Sequence, residues 1–533
     1  MGSSSLRIVI AFALAGALGA SLCEVARAQD ALQAGEAFVT RFSGTTDEGG
    51  RAAIDPSGTV GGVVDLRRPG ASPLGASWED APQRSAATAG QVGQVFGVTL
   101  DDADPPNIYL TATSAFGLHR NAENTGWMEG MWGLNGGPGT IWKLDGANND
   151  QPEIFADIKL DGRGNTGAAL GNIAFDRWNE QFYVSDLETG MIHRLRASDG
   201  ADLGHYDHGV DGRSVFFDVA GSGLAQGDFR SLPAVPFDPA SSARTDDCPS
   251  GDFARAPSCW NFADFHRRVW GVGVRRDPAT EEVRLYYAIW GSQGFGNPDH
   301  AAAGEDDQRN AVWSVRIKKD GAFDTTSARR EFFLPDFFRS PEAIARAGRS
   351  HPVADIAFPA SGDQDVMLLA ERGGVRNLGL AAEDAFANPH EARVLRYELT
   401  DQGFWRGAGR YDVGYYDRSE AGPPYLRGSA AGGVSFGLGY GDGWEIDPAA
   451  PDAFVWMTGD GLCSPRGPCF DPGATRIPNP RRSTGYRDAR RGPMRPSSPS
   501  PHSSHTRART DYPRDRTRSV FHDRPRCRWR SAG

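Results

Sequence analysis

Lysine is nearly missing from the 533-residue chain: Lys143, Lys159, Lys318 and Lys319 stand against 53 arginines. Together with abundant alanine and glycine, that bias points to a GC-rich coding sequence. After the amino terminus no apolar run approaches the roughly 20 residues that a membrane-spanning helix needs, which excludes a bundle of such helices. Cysteine is scarce, at positions 23, 248, 259, 463, 469 and 527, and the Cys-x-x-Cys spacing of a zinc site does not occur. Gly93 to Gly97 carries Gln94 and Val95 before Phe96, so it lacks the serine of a Gly-x-Ser-x-Gly nucleophile elbow; that pattern does occur at Gly433-Val-Ser-Phe-Gly437, but inside a run that reads as one of the repeated strands and not as a strand-to-helix turn. No P-loop or His-Glu-x-x-His pair is found, so those nucleotide-binding and metalloprotease signatures are excluded.

The first residues supply an export pattern. Arg7 precedes an apolar stretch from Ile8 to Leu22, and Ala26-Arg27-Ala28 gives a small-x-small cleavage signal before Gln29. The expected signal peptide is 1–28, which places the mature chain in the periplasm or outside the cell. In that oxidising setting the spacing of the remaining cysteines predicts two local disulfides, Cys248 with Cys259 and Cys463 with Cys469.

The far end differs in kind. Residues 481–533 hold 15 Arg and 4 Asp with almost no aliphatic side chains, a net charge of +11, so the rest of the chain carries −22. Without a hydrophobic period this segment builds no packed layer. It reads either as a disordered basic tail or as a segment out of the native frame. The acidic remainder repels nucleic acid and anionic lipid headgroups, which removes both from the expected partners.

Between these ends runs a repeated strand grammar. Gly171 to Asp176, Glu180 to Asp186 and Gly190 to Leu195 alternate apolar with small or polar residues, and Asp, Asn and Gly fill the gaps. The same order recurs from Val95, from Val269, from Ala354 and, in part, from Gly433. A three-strand meander cannot bury both faces alone, and stacking such units around an axis solves that problem. The expected fold class is therefore all-β, a β-propeller of six to eight blades with long inserted loops, with a β-sandwich plus an added domain as the alternative. Residues 29–85 are expected to form an N-terminal extension or partial first blade, and 86–480 the propeller. Ser214 to Val219, Ala52 to Asp55 and Gly61 to Asp65 are candidates for fainter strands between the clear units.

The segment Ile173-Ala-Phe-Asp176, Tyr183-Val-Ser-Asp186 and Gly190-Met-Ile-His-Arg-Leu195 resembles blades of NHL-repeat and SMP-30-like six-bladed propellers. Asp355 to Phe358 and Leu369 to Gly374 resemble the same strands, with Glu371 standing where Asp186 stands. The close match covers about two units. Such groups include sugar-lactone hydrolases, lyases and proteins that only bind partners, so the likeness does not choose a reaction. The hydrolases hold an axial calcium ion, and the resemblance implies Asn172, Asp186, Asp355 and Glu371 as its ligand candidates. No organic cofactor is implied. Other groups with possible chemistry are His205, Asp207 and His208, and His351 four residues before Asp355. Glycine-rich loops carry Trp127, Trp132 and Trp290, and a further aromatic stretch carries Tyr425, all suited to contact a protein or a cell-envelope carbohydrate. The leading expectation is an exported binding or scaffold propeller; the alternative is a calcium-dependent lactonase or related ester hydrolase.

Overall fold

The computed structural model describes residues 31–47, 52–68, 83–114, 119, 127–220, 227–244, 262–292, 297–338, 340–341, 344, 348–362, 365–372, 392–411, 430–443 and 445–459, and the backbone of 485–490. All six cysteines, Tyr425 and the expected signal peptide lie outside the described residues.

The chain is a β-propeller. Four consecutive sheets follow the meander order. The first blade comprises Val95–Leu100, Ile108–Ala112, Thr140–Asp145 and Gln151–Asp157. The second comprises Leu170–Asp176, Gln181–Asp186, Met191–Arg196 and Asp202–Asp207. In the third, Val269–Arg276, Val283–Ile289, Ala311–Ile317 and Phe323–Phe333 are extended outward by Phe216–Asp218 and Asp228–Arg230. The fourth comprises Val353–Ala357, Val366–Glu371, Val394–Leu399 and Trp405–Tyr411. A fifth sheet pairs Val434–Gly437 with Phe454–Gly459, and Phe454–Gly459 with Gly485–Arg490. That last strand falls in the arginine-rich segment, where composition gave no element. The N-terminal sheet, Glu36–Thr40, Thr59–Asp65 and Gln83–Thr88, is antiparallel as well.

Period-two alternation explains the packing. In the middle strand of the second blade, Phe182 and Val184 enter the seam with the first blade, while Tyr183 enters the seam with the third. Both faces are buried, so these strands read as unbroken apolar runs. The same device fills the seam between the third and fourth blades with Tyr286, Val312, Ile356 and Met367, and the next with Leu368, Val394, Val434 and Met457. The N-terminal sheet occupies the gap between the fifth sheet and the first blade. Its Val60 and Ala87 pack with Val95 and Leu110, and its Val39, Val64 and Leu66 pack with Trp456. The Tyr440 hydroxyl also donates to the Leu66 carbonyl at 2.6 Å, closing the ring.

Of the fainter strands, Ser214 to Val219 yields Phe216–Asp218, which widens the third blade and starts no blade of its own. Ala52–Ile54 forms a hairpin with Thr45–Asp47, and Gly61 to Asp65 lies in the N-terminal sheet. The wide spacing of the clear units thus comes from polar fourth strands and long connections.

Candidate functional site

The inner strand of each of the first four blades contains one extra residue relative to its neighbour. The register shifts between Val95 and Val98, Leu170 and Ile173, Val269 and Val272, and Val353 and Asp355. Such a bulge bends the strand and re-aims a side chain. It places Gly97, Asn172, Gly271 and Asp355 at equivalent points. A Cβ on Gly97 would lie 2.6 Å from the Gly171 carbonyl, and one on Gly271 would lie 2.9 Å from the Val353 carbonyl. Glycine at these two points lets neighbouring inner strands approach closely.

Hydroxyls seal the same region. Thr111 Oγ1 accepts from the Gly97 amide at 3.0 Å and donates to the Gly171 carbonyl of the next blade at 2.7 Å. Ser185 repeats the device one blade on, accepting from the Asn172 amide at 3.0 Å and donating to the Trp270 carbonyl at 2.6 Å. Thr40 Oγ1 of the N-terminal sheet donates to the Phe96 carbonyl at 2.7 Å. Buried backbone groups freed by the bulges therefore find partners across the seams.

Where the bulge carries Asn172 and Asp355, the side chains meet. Asn172 Nδ2 donates to Asp355 Oδ1 at 3.0 Å and to the Val272 carbonyl at 3.3 Å. Asp355 Oδ2 accepts from the Val434 amide at 3.0 Å. One carboxyl thus ties the second, fourth and fifth sheets together, and Asn172 adds the third. Both residues line an axial cavity of about 1600 Å³ that the inner strands of all six sheets surround.

Burial pushes the pKa of the Asp355 carboxyl up, against the opposing pull of hydrogen bonds from Val434 and Asn172. A carboxyl whose pKa rises on folding contributes its full stability below the ordinary carboxylate range and loses it as pH climbs through the raised value. Asp355→Asn removes this titration. The urea midpoint of the native chain relative to that variant should fall as pH rises from about 4 to 7. A difference independent of pH would count against Asp355 as the titrating group.

At the opposite end of the inner strands the cavity has an apolar collar. Leu100, Phe175, Val274 and Phe358 each lie three residues beyond an equivalent bulge position, and Phe436 lies three beyond Gly433. The Gly433 amide donates to Thr458 Oγ1 at 2.9 Å, as the Asn172 amide does to Ser185, which sets the equivalence. Val274, Phe358, Phe436 and Phe175 each pack partly into a seam and keep surface toward the cavity. Leu100 is 37% exposed.

The other two calcium candidates are used elsewhere. Asp186 closes the turn after its strand, accepting from the Glu188 amide at 2.9 Å, Thr189 Oγ1 at 2.7 Å and Asn165 Nδ2 at 2.8 Å. Burial pulls its pKa upward, but the hydrogen bonds and charge of His193, with Thr189 and the Glu188 amide, outweigh this and leave it low. Glu371 forms a bidentate pair with Arg393, at 2.7 and 2.6 Å. Among the described residues no three His, Cys, Asp or Glu side chains converge as a metal site. Calcium takes six to eight oxygen ligands, and these four candidates do not assemble one set.

The histidines also separate. His205 stands beside His193 across a strand pair, whereas His208 is buried against Trp313 and bonds the Tyr287 hydroxyl at 3.0 Å. Desolvation, reinforced by Arg213, Arg267 and Arg330, holds His208 well below its usual pKa, and so neutral. His351 packs on Phe337 and Phe338. Trp290 is 1% exposed and packs on Trp270, so it has no face to offer a partner. Trp127 and Trp132 are half-buried, in a T-shaped pair 6.1 Å apart. The sequence reading missed the collar and the hydroxyl seals; the constant offset from each Gly or Asn to a later large apolar residue was the available signal.

No family model and no curated protein matches the chain. Among solved structures it is similar to one in a nidogen/laminin complex, at 11% identity over 80% of this chain and 86% of that one, with a TM-score of 0.33. A protein from Lactobacillus plantarum aligns at 10% identity over 80% and 90% of the two chains, with a TM-score of 0.31. Chaetomium thermophilum Sqt1, bound to the N-terminus of ribosomal protein L10, aligns at 11% over 77% and 66%, with a TM-score of 0.30. These likenesses are too distant to carry function, and the β-propeller assignment rests on the sheet order and the closed ring of seams.

Proposed function

We propose that this chain is an exported binding or scaffold propeller whose axial mouth takes up a protein segment or a cell-envelope carbohydrate. The observation that supports this reading is the collar of Leu100, Phe175, Val274, Phe358 and Phe436 around a roomy cavity. Half-exposed phenylalanines offer rigid contact area to a peptide side chain or to the apolar face of a sugar ring. The polar groups deeper in the axis bond one another, which leaves the collar as the contact surface.

Selection from a displayed random-peptide library and an envelope-glycan array tests this. Binders are expected, and Phe358→Ser with Phe436→Ser should weaken them by about ten-fold or more, the effect of removing central aromatic anchors. Failure of both selections, or binders indifferent to the collar, would sink the reading.

A second reading, a calcium-dependent lactonase of the NHL/SMP-30-like kind, is favoured by one observation: Asn172 and Asp355 meet at the axis. Calorimetric titration of the purified chain with calcium, followed by a sugar-lactone hydrolysis assay, separates the two. Calcium-dependent turnover lost in Asp355→Asn would favour the enzyme.

A further inference from the structure

The connection that leaves the outermost strand of the third blade carries Leu232-Pro-Ala-Val-Pro-Phe-Asp-Pro239. Proline recurs every third position, at Pro233, Pro236 and Pro239. Each ring fixes its own φ near −65°, and each residue before a proline is pushed to extended or polyproline geometry. Leu232, Val235 and Asp238 are those preceding residues, so only Ala234 and Phe237 escape both constraints. A left-handed polyproline helix has three residues per turn, which aligns Pro233 and Pro236 on one edge.

The burial pattern follows the same period as far as Pro236: Pro233 and Pro236 are exposed, whereas Leu232 and Val235 are half-buried. Beyond it Phe237 is half-buried and Asp238 exposed, and the Ser241 amide donates to the Asp238 carbonyl at 3.1 Å, so Pro239 stands in a turn. The segment is strapped down from the opposite side. The Leu232 amide donates to the Arg213 carbonyl at 2.8 Å, and the Val235 amide to the Gly209 carbonyl at 2.7 Å. Arg213 Nε donates to the Pro233 carbonyl at 2.8 Å, and Arg267 Nη1 to the Val235 carbonyl at 2.7 Å. Phe237 is held among three guanidinium groups, those of Arg244, Arg163 and Arg267, at 5.3, 5.4 and 6.0 Å from its ring centre. Arg267 is itself buried and paired with Asp207 at 2.7 Å, so the clamp is anchored in the body of the propeller. Ala234 and Pro236 are exposed, and among the described residues their carbonyls have no intramolecular donor.

We propose that residues 232–237 form a preorganised proline ridge, with Pro233 and Pro236 at its edge, that docks into an aromatic-lined groove of a protein partner, in the manner of Pro-x-x-Pro recognition. Aromatic grooves of this kind take proline rings between their side chains, while groove donors bond exposed carbonyls such as those of Ala234 and Pro236. A free proline-rich peptide loses chain entropy on binding; here the propeller has already ordered the segment, which lowers that cost. A nucleic acid is a poor fit, because the exposed edge presents no cation. The ridge lies apart from the axial collar and stands or falls independently of it.

The test uses the whole chain against a panel of purified SH3, WW and EVH1 domains, read by biolayer interferometry. At least one domain should bind the native chain, and Pro233→Ala with Pro236→Ala should weaken it by about ten-fold or more. Both substitutions leave Leu232, Val235, Phe237 and the arginine clamp in place. Should that variant lose its native circular dichroism, Ala234→Glu replaces it: the prolines stay and a charged side chain blocks the groove, so binding should again be lost. Binding to no domain of the panel, or equal binding by native chain and a folded variant, overturns the proposal. The collar variant Phe358→Ser should bind these domains normally, which separates failure of the ridge from failure of the axial reading.

Discussion

Arg393→Met should destabilise the propeller by roughly 3–5 kcal/mol, the usual cost of leaving one half of a buried ion pair unpaired. Glu371 has no solvent exposure and Arg393 little. The guanidinium donates twice to the carboxylate, donates to the Pro335 carbonyl at 2.9 Å, and lies 5.1 Å from the Phe337 ring centre. The pair therefore joins the middle of the fourth blade to the connection leaving the third. Removing the arginine strands a carboxylate where water does not reach. The double variant Arg393→Met with Glu371→Leu removes both charges, and replacing a whole buried pair by apolar groups is often neutral, so most of the loss should be recovered. Urea unfolding of the two variants decides the matter. A single-variant loss below about 1 kcal/mol, or a double variant worse than the single, would show that the pair is not a buried unit.

The second large effect is expected at Trp290. Its indole meets Trp270 edge to face at 5.5 Å and Phe262 at 6.0 Å, and the Arg268 guanidinium sits 5.2 Å from its ring centre. Trp290→Ala should cost about 3–5 kcal/mol, since a deleted buried ring leaves a cavity that the close-packed surroundings fill only in part. Trp290→Phe should cost less. A tryptophan serving mainly as a partner contact would behave in the opposite way, losing a binding partner while the thermal midpoint stayed within a degree or two of native. Thermal unfolding of the two variants distinguishes these roles.

Much of the propeller was legible because the second and third strands of its blades are buried on both faces and the inner strands on the seam side. Val283–Ile289 and Ala311–Ile317 coincide with their apolar runs, and Val95–Leu100 likewise. The fourth strands were not legible. Asp202–Asp207 and Gln151–Asp157 lie at sheet edges with mostly exposed or half-exposed side chains, so burial imposes no alternation on them. Closure by the N-terminal sheet was hidden for another reason: the contact of Val39 with Trp456 depends on residues far apart in the chain. Half of the metal candidates shared a location because Asn172 and Asp355 replace glycine at a bulge, a substitution visible in the repeat. Asp186 and Glu371 also occupy equivalent places, yet at the end of a second strand, where the side chain serves the adjoining turn or strand pair instead of the axis. Trp290 misled because glycine follows it in sequence, while its own burial is set by Trp270 and Phe262.

The last seam also orders events during synthesis. Val39, Val64 and Leu66 emerge early from the ribosome, but the indole that covers them, Trp456, is translated close to 400 residues later. Until then that apolar sheet face stays open to solvent or to chaperones, while the intervening blades dock in sequence. Contacts of such long range slow folding. A chain that ends between the fourth and fifth sheets would therefore expose a sticky edge at each side of an unfinished ring, and its binding by chaperones should fall away once the chain extends past residue 456.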